Sequence, residues 1–171
     1  MESEHTCSSY PPSTVFLSNL HSLSIYALGF YILSGIGLLF SFLYLAYAAI
    51  LEFRLLRYHC TDCYYYGRTC GFGKGKISAL LFRKGDPARF CSKGFGWKDL
   101  LPDMLVSLVP LLTGIVLLIL RFDLLLLSAM LLLVLLTTTG NSMVRGKLTC
   151  NHCRQRDMGC PAQELFNKKN E

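Results

Sequence analysis

The chain has 171 residues, 52% of them apolar and only 16% charged, and a formal net charge of +6. That balance excludes a disordered, highly charged polypeptide, and the grouping of the apolar residues into long runs points away from a water-soluble domain and toward a membrane protein. The expected fold class is an all-α integral membrane protein with a small cysteine-rich module outside the bilayer.

Residues 1–22 form an N-terminal tail with two Glu and no Lys or Arg. Residues 23–51 follow without a single Asp, Glu, Lys or Arg, a run long enough to cross a hydrocarbon core of roughly 30 Å with some tilt, and they predict one transmembrane helix. A cleaved signal peptide is disfavoured, although Ala46–Tyr47–Ala48 resembles a cleavage site: the flank lacks a basic region, and the run is about twice the usual apolar length of roughly 7 to 15 residues. Along this helix Ala27, Ser34, Ser41 and Ala48 recur every seven positions, the spacing of a close-packing face.

The connector, residues 52–103, contains Cys60-x2-Cys63-x6-Cys70 and then Cys91. It is rich in Gly, Lys and Arg and poor in periodic apolar positions, so it needs an added constraint to fold. Within it "CGFGKGKIS" fails as a phosphate loop, because Gly71 and Gly75 are one residue too close and Ile77 stands where a magnesium-binding hydroxyl belongs. Its basic residues suit anionic lipid headgroups better than nucleic acid, and "YYYG" at Tyr64 reads as an interfacial aromatic anchor.

Residues 104–144 are apolar except for Arg121–Phe122–Asp123, which predicts a helical hairpin with its turn at 121–123. Ser107 and Gly114, seven apart, are the expected counterpart of the small-residue stripe. The "TTTGNS" stretch from Thr137 is read as lining a polar site or satisfying backbone groups as the helix ends. The tail, residues 145–171, repeats the motif as Cys150-x2-Cys153-x6-Cys160.

Three crossings would put the connector and the tail on one side. Of 17 Lys and Arg residues, ten lie in the connector and six follow Asn141, leaving only Arg121 elsewhere. The positive-inside rule then makes the cysteine side cytoplasmic and the N-terminus external, with Cys7 alone across the cell membrane. Seven cysteines in a reducing compartment argue against a disulfide framework.

A Cys-x2-Cys turn brings two thiolates to one ion, as zinc and iron-sulfur centres require. Cys60, Cys63, Cys70 and Cys91 make a full set of four; Cys150, Cys153 and Cys160 lack a fourth, for which His59, His152, Asp157, an open position or one cluster shared between the knuckles are all open. Zinc is the first expectation and an iron-sulfur cluster the second; the four histidines are not placed for haem. No ionisable residue sits mid-run, which disfavours a pump or transporter acting alone, and no hydrolase, metalloprotease, deaminase or dinucleotide motif occurs. The chain thus reads as a non-enzymatic, membrane-anchored zinc scaffold or accessory subunit. Its partners would be the lipid bilayer and another copy or a larger membrane complex. The alternatives are a redox protein and a soft-metal handling protein.

Overall fold

Two glycines divide the first apolar run. In the computed structural model, which describes residues 7–86, 90 and 97–157, helix α1 spans Pro12–Ser34, the chain turns through Gly35, Ile36 and Gly37, and α2 spans Leu38–Leu55. The expected single helix is therefore a hairpin. Each Gly weakens a helix interior by about 1 kcal/mol, and the freed groups are closed by tightened bonds, Gly35 N–H to the Ile32 carbonyl at 3.2 Å and Ile36 N–H to the Leu33 carbonyl at 3.0 Å. At its other end α1 starts on a proline, whose missing N–H is no loss in a first turn.

A π-helical turn, Leu56–Cys60, carries α2 to the first cysteine, and a short helix α3 covers Lys74–Leu81. Helix α4 spans Trp97–Leu120 and α5 spans Leu124–Leu135, with the expected turn between them. Asp123 caps α5 by accepting the Leu125 N–H at 2.9 Å. Beyond α5 the chain stays helical but widens into π turns at Leu136–Gly140 and Ser142–Thr149, followed by a 3-10 turn, Cys150–His152, and α6, Arg154–Asp157. The threonines explain the start of that widening. Thr137 and Thr138 donate their hydroxyls to the carbonyls of Leu133 and Val134 at 2.8 and 2.7 Å, competing with the backbone amides that would otherwise bond there.

All the elements among the described residues are helical, and four helices are long and apolar enough to cross a membrane: Pro12–Ser34, Leu38–Cys60, Leu101–Leu120 and Leu124–His152. The sequence alone predicts three such helices, because a glycine reverse turn carries no charged residue to mark it.

The chain divides into two compact units. One, from Leu20–Glu52 and Trp97–Ser142, has a core of Ile25, Ile32, Leu33, Tyr44, Val106, Ala129, Met130 and Leu133. Tyr44 there repairs a defect. Pro110 has no N–H to offer the Val106 carbonyl four residues back, and the Tyr44 hydroxyl donates to that carbonyl at 3.0 Å. The ring of Tyr44 also lies where a side chain at position 29 would stand, so Gly29 lets α1 and α2 approach. The heptad stripe is not one face: Ser41 and Ala48 are buried on α2, Ser41 donating to the Phe30 carbonyl at 3.1 Å, while Ala27 on α1 is exposed. Gly114 packs against Met130 of α5, as one arm of a hairpin on the other.

The other unit comes from the described parts of Met1–Asn19, Phe53–Gly96 and Met143–Glu171, and it holds the cysteines.

Candidate functional site: a cysteine module built on Tyr65

The first knuckle follows from two left-handed glycines and one close approach. After Cys63 the chain turns, with the Tyr66 N–H on the Cys63 carbonyl at 3.0 Å and the Arg68 N–H on the Tyr65 carbonyl at 2.9 Å. Gly67 (φ 75°) and Gly73 (φ 70°) take up positive dihedral angles that side chains resist. Gly75, in the first turn of α3, sits so close to the Tyr65 and Arg68 carbonyls that a β-carbon would collide with both. Its own carbonyl accepts the Gly67 N–H at 3.0 Å, which fixes α3 to the turn.

That turn drives Tyr65 inward, leaving it 1% exposed. Its hydroxyl donates to the Cys7 carbonyl at 2.6 Å and accepts the Arg154 N–H at 3.0 Å, so one phenol joins the N-terminal segment, the connector and the tail. Tyr10 repeats the pattern from the N-terminal side. Its amide donates to the Thr69 carbonyl at 3.0 Å, its hydroxyl to the Thr149 carbonyl at 2.6 Å, and its ring lies 5.6 Å from that of Tyr65. Gln155, also 1% exposed, accepts the Tyr64 N–H at 2.8 Å. The Tyr64 ring is flanked by the guanidinium groups of Arg68 and Arg154 at 5.1 and 5.5 Å.

The two cysteine loops are thus bonded to each other through Tyr64–Gln155 and Tyr65–Arg154. The second loop turns by a Cys153 N–H to Cys150 carbonyl bond at 3.3 Å, and the Cys7 N–H donates to the His152 carbonyl at 3.0 Å. Cys7 and Cys153 are paired as an isolated parallel bridge. The sequence alone sets Cys7 apart from the other cysteines; in the structure its backbone is bonded to the second knuckle instead.

Cys7, Cys60, Cys63, Cys70, Cys150 and Cys153 are all half-buried and form no disulfide. Burial above all, with smaller contributions from Cys153, Cys60 and Cys70, pushes the Cys63 thiol up to about 12, while the Tyr65 backbone N–H opposes the shift. An amide turned toward a knuckle sulfur is the geometry the Cys-x2-Cys spacing predicts. The same burial holds the Tyr65 phenol at about 12 and that of Tyr10 higher still.

His152 is exposed and enters the module through its backbone carbonyl, and His59 turns its ring edge-on to Phe90 at 6.5 Å. Cys91 and Cys160 lie outside the described residues. Among those residues, no group of three or more His, Cys, Asp or Glu side chains is arranged to hold a metal ion.

Sequence reasoning missed Tyr65, Tyr10, Gln155 and Cys7. A signal for Tyr65 was present in the Gly67 that ends the tyrosine triplet and forces a tight turn. None marked Cys7, which has no second cysteine nearby. Comparison with family models, with curated proteins and with solved structures finds no match to this chain.

Proposed function

We propose that the chain is a four-crossing membrane protein whose N-terminal segment, connector and tail share the cytoplasm, where they form a zinc-binding scaffold or accessory subunit of a membrane complex. The observation that carries this reading is the convergence of three segments remote in sequence on Tyr65, within a unit that holds six cysteines outside any disulfide. An even number of crossings returns the tail to the side of the N-terminus, in keeping with the Cys7–Cys153 pairing. Sixteen of the 17 basic residues flank the cysteines, and the first eleven residues carry none, so the positive-inside rule favours the cytoplasm.

The donor set is thiol-rich, as zinc prefers. Cys91 would complete Cys60, Cys63 and Cys70; for Cys150, Cys153 and Cys160 the fourth thiol would be Cys7, which is paired with Cys153 and which the sequence alone does not single out. The ion would have to draw these sulfurs together, so binding would be coupled to tightening of the two knuckles. The Cys7–Cys153 bridge favours a second reading. Paired residues on neighbouring strands lie roughly 4.8 Å apart, within the roughly 4.4 to 6.8 Å over which a disulfide forms, so these two thiols suit reversible oxidation.

Anaerobic purification followed by metal analysis, a visible spectrum and thiol mapping decides among the readings. The proposal expects colourless protein with bound zinc that falls in Cys63→Ser and Cys153→Ser. A brown protein bearing iron would replace zinc by an iron-sulfur centre, and a metal-free protein with a Cys7–Cys153 disulfide would make it a thiol redox protein. Either result overturns the zinc reading.

A further inference from the structure

Helix α3, Lys74–Leu81, has one face packed and the other bare. Gly75 and Ser78 are buried, and Phe82 just beyond the helix end meets the Phe53 ring edge-on at 5.3 Å. The Ser78 hydroxyl donates to the Leu56 carbonyl at 3.2 Å. At about 100° per residue Gly75 and Ser78 lie about 60° apart on one side, Leu80 stands almost directly opposite them, and Ile77 and Leu81 follow at about 50° and about 90° from that opposite direction. These three are 47%, 86% and 59% exposed. Lys74 and Lys76 lie about 70° and about 130° from the buried centre, on opposite sides of it, so one stands on each flank of the apolar ridge.

We infer that the Ile77–Leu80–Leu81 ridge of α3 lies in the membrane surface, with the flanking lysines, Arg83 and Lys84 at anionic lipid headgroups. Position favours lipid as the occupant. Phe53 and Leu56, which hold α3, belong to the last turns of the candidate span Leu38–Cys60, so the helix is fastened where a span leaves the bilayer. Charge favours it as well: between positions 74 and 86 there are four basic residues and one acidic, Asp86. A ridge of large apolar side chains bordered by lysines that can extend toward phosphates is the pattern of a helix lying in the interface plane. The inference rests on the membrane reading and is independent of the metal.

The full chain carrying Trp97→Phe and Leu80→Trp has a single tryptophan at the ridge. It is reconstituted in nanodiscs of phosphatidylcholine, with and without phosphatidylglycerol, containing lipids brominated near the headgroup. The expected result is emission roughly halved by brominated lipid, more so with phosphatidylglycerol, and poorly reached by acrylamide. Emission open to acrylamide and untouched by brominated lipid would place the ridge in water. Emission shielded from both would place it against a second copy or another protein. Either outcome overturns the inference. On the unmodified chain, amide exchange over residues 74–81 should slow roughly threefold or more when phosphatidylglycerol is added, and no change would refute the headgroup contact. A chain that washes off membranes at alkaline pH would instead refute the membrane reading itself.

Discussion

Replacing Tyr65 by Phe removes one oxygen and breaks both bonds that join three segments. The ring fits the same space, so no cavity forms, and the loss is confined to the Cys7 carbonyl and the Arg154 N–H. A hydrogen bond contributes about 0.5 to 1.5 kcal/mol net, and a buried partner left unsatisfied costs about 1 to 3 kcal/mol. Cys7 is half-buried, so water can reach part of its backbone, and we place the combined loss at about 2 to 3 kcal/mol. The N-terminal segment should feel most of it, because near Cys7 the described residues hold it chiefly through the Cys7 N–H to His152 bond, Tyr65 and Tyr10. In the metal-free protein, alkylation of Cys7 through local opening should accelerate about 30- to 150-fold, with tryptic cleavage near Arg154 rising alongside. Tyr31→Phe, on a half-exposed ring in the other unit, should stay within about 0.5 kcal/mol. If Tyr65→Phe leaves Cys7 as slow to react as before, Tyr65 does not hold the segment and the account of the module fails.

Two further outcomes are expected. Tyr44→Phe should cost about 1 to 2 kcal/mol in reversible detergent unfolding by stranding the Val106 carbonyl, and clearly less in a Pro110→Ala background, where an amide becomes available to it; purely additive effects would refute the repair. In metal-free protein, burial puts the folded Cys63 thiol at about 12 against an ordinary 9.0, so its contribution is full below pH 9 and is lost as the pH rises toward 12, at up to about 1.4 kcal/mol per pH unit. Tyr65 adds a loss of the same sign, and an alkaline unfolding slope unchanged in Cys63→Ser would show that this sulfur is not desolvated.

How far the fold was legible differs from one turn to the next. The hairpin turn at Arg121–Asp123 was legible because it carries charge and a cap. The turn at Gly35–Gly37 was not, because a chain can reverse inside an apolar run on glycine alone, and length could not settle the matter when 23–51 suits one tilted helix. The start of α1 at Pro12 was missed for a related reason: polar residues such as Ser18 and His21 pulled the apparent boundary to Leu23, yet both are buried in the fold. That places a histidine inside the candidate span Pro12–Ser34, whereas the run 23–51 predicted from sequence begins two residues after it. In the module, the repeated cysteine spacing correctly suggested two loops that meet. Which of three consecutive tyrosines turns inward depends on the φ of Gly67 and the approach of Gly75, and spacing does not encode either.

The proposed fourth crossing would change more than a count. It would reverse the parity of the chain, bring the N-terminus to the side of the connector, and raise the cysteines there from seven to eight. The odd number that argues against full disulfide pairing would then be gone, and a reduced state would rest on the compartment alone. The case for metal as an obligatory constraint changes too. The connector looked too poor in apolar residues to fold by itself, but the missing core comes from elsewhere in the chain: Tyr10 from one side and Thr149 and Gln155 from another close around Tyr65 with short hydrogen bonds. A metal ion bound to such a frame would tighten the thiols on a scaffold that already exists. Its removal should then loosen the knuckles around Cys63 and Cys153 while the Tyr65 bonds to Cys7 and Arg154 persist, unlike a small zinc domain that unfolds outright without its ion.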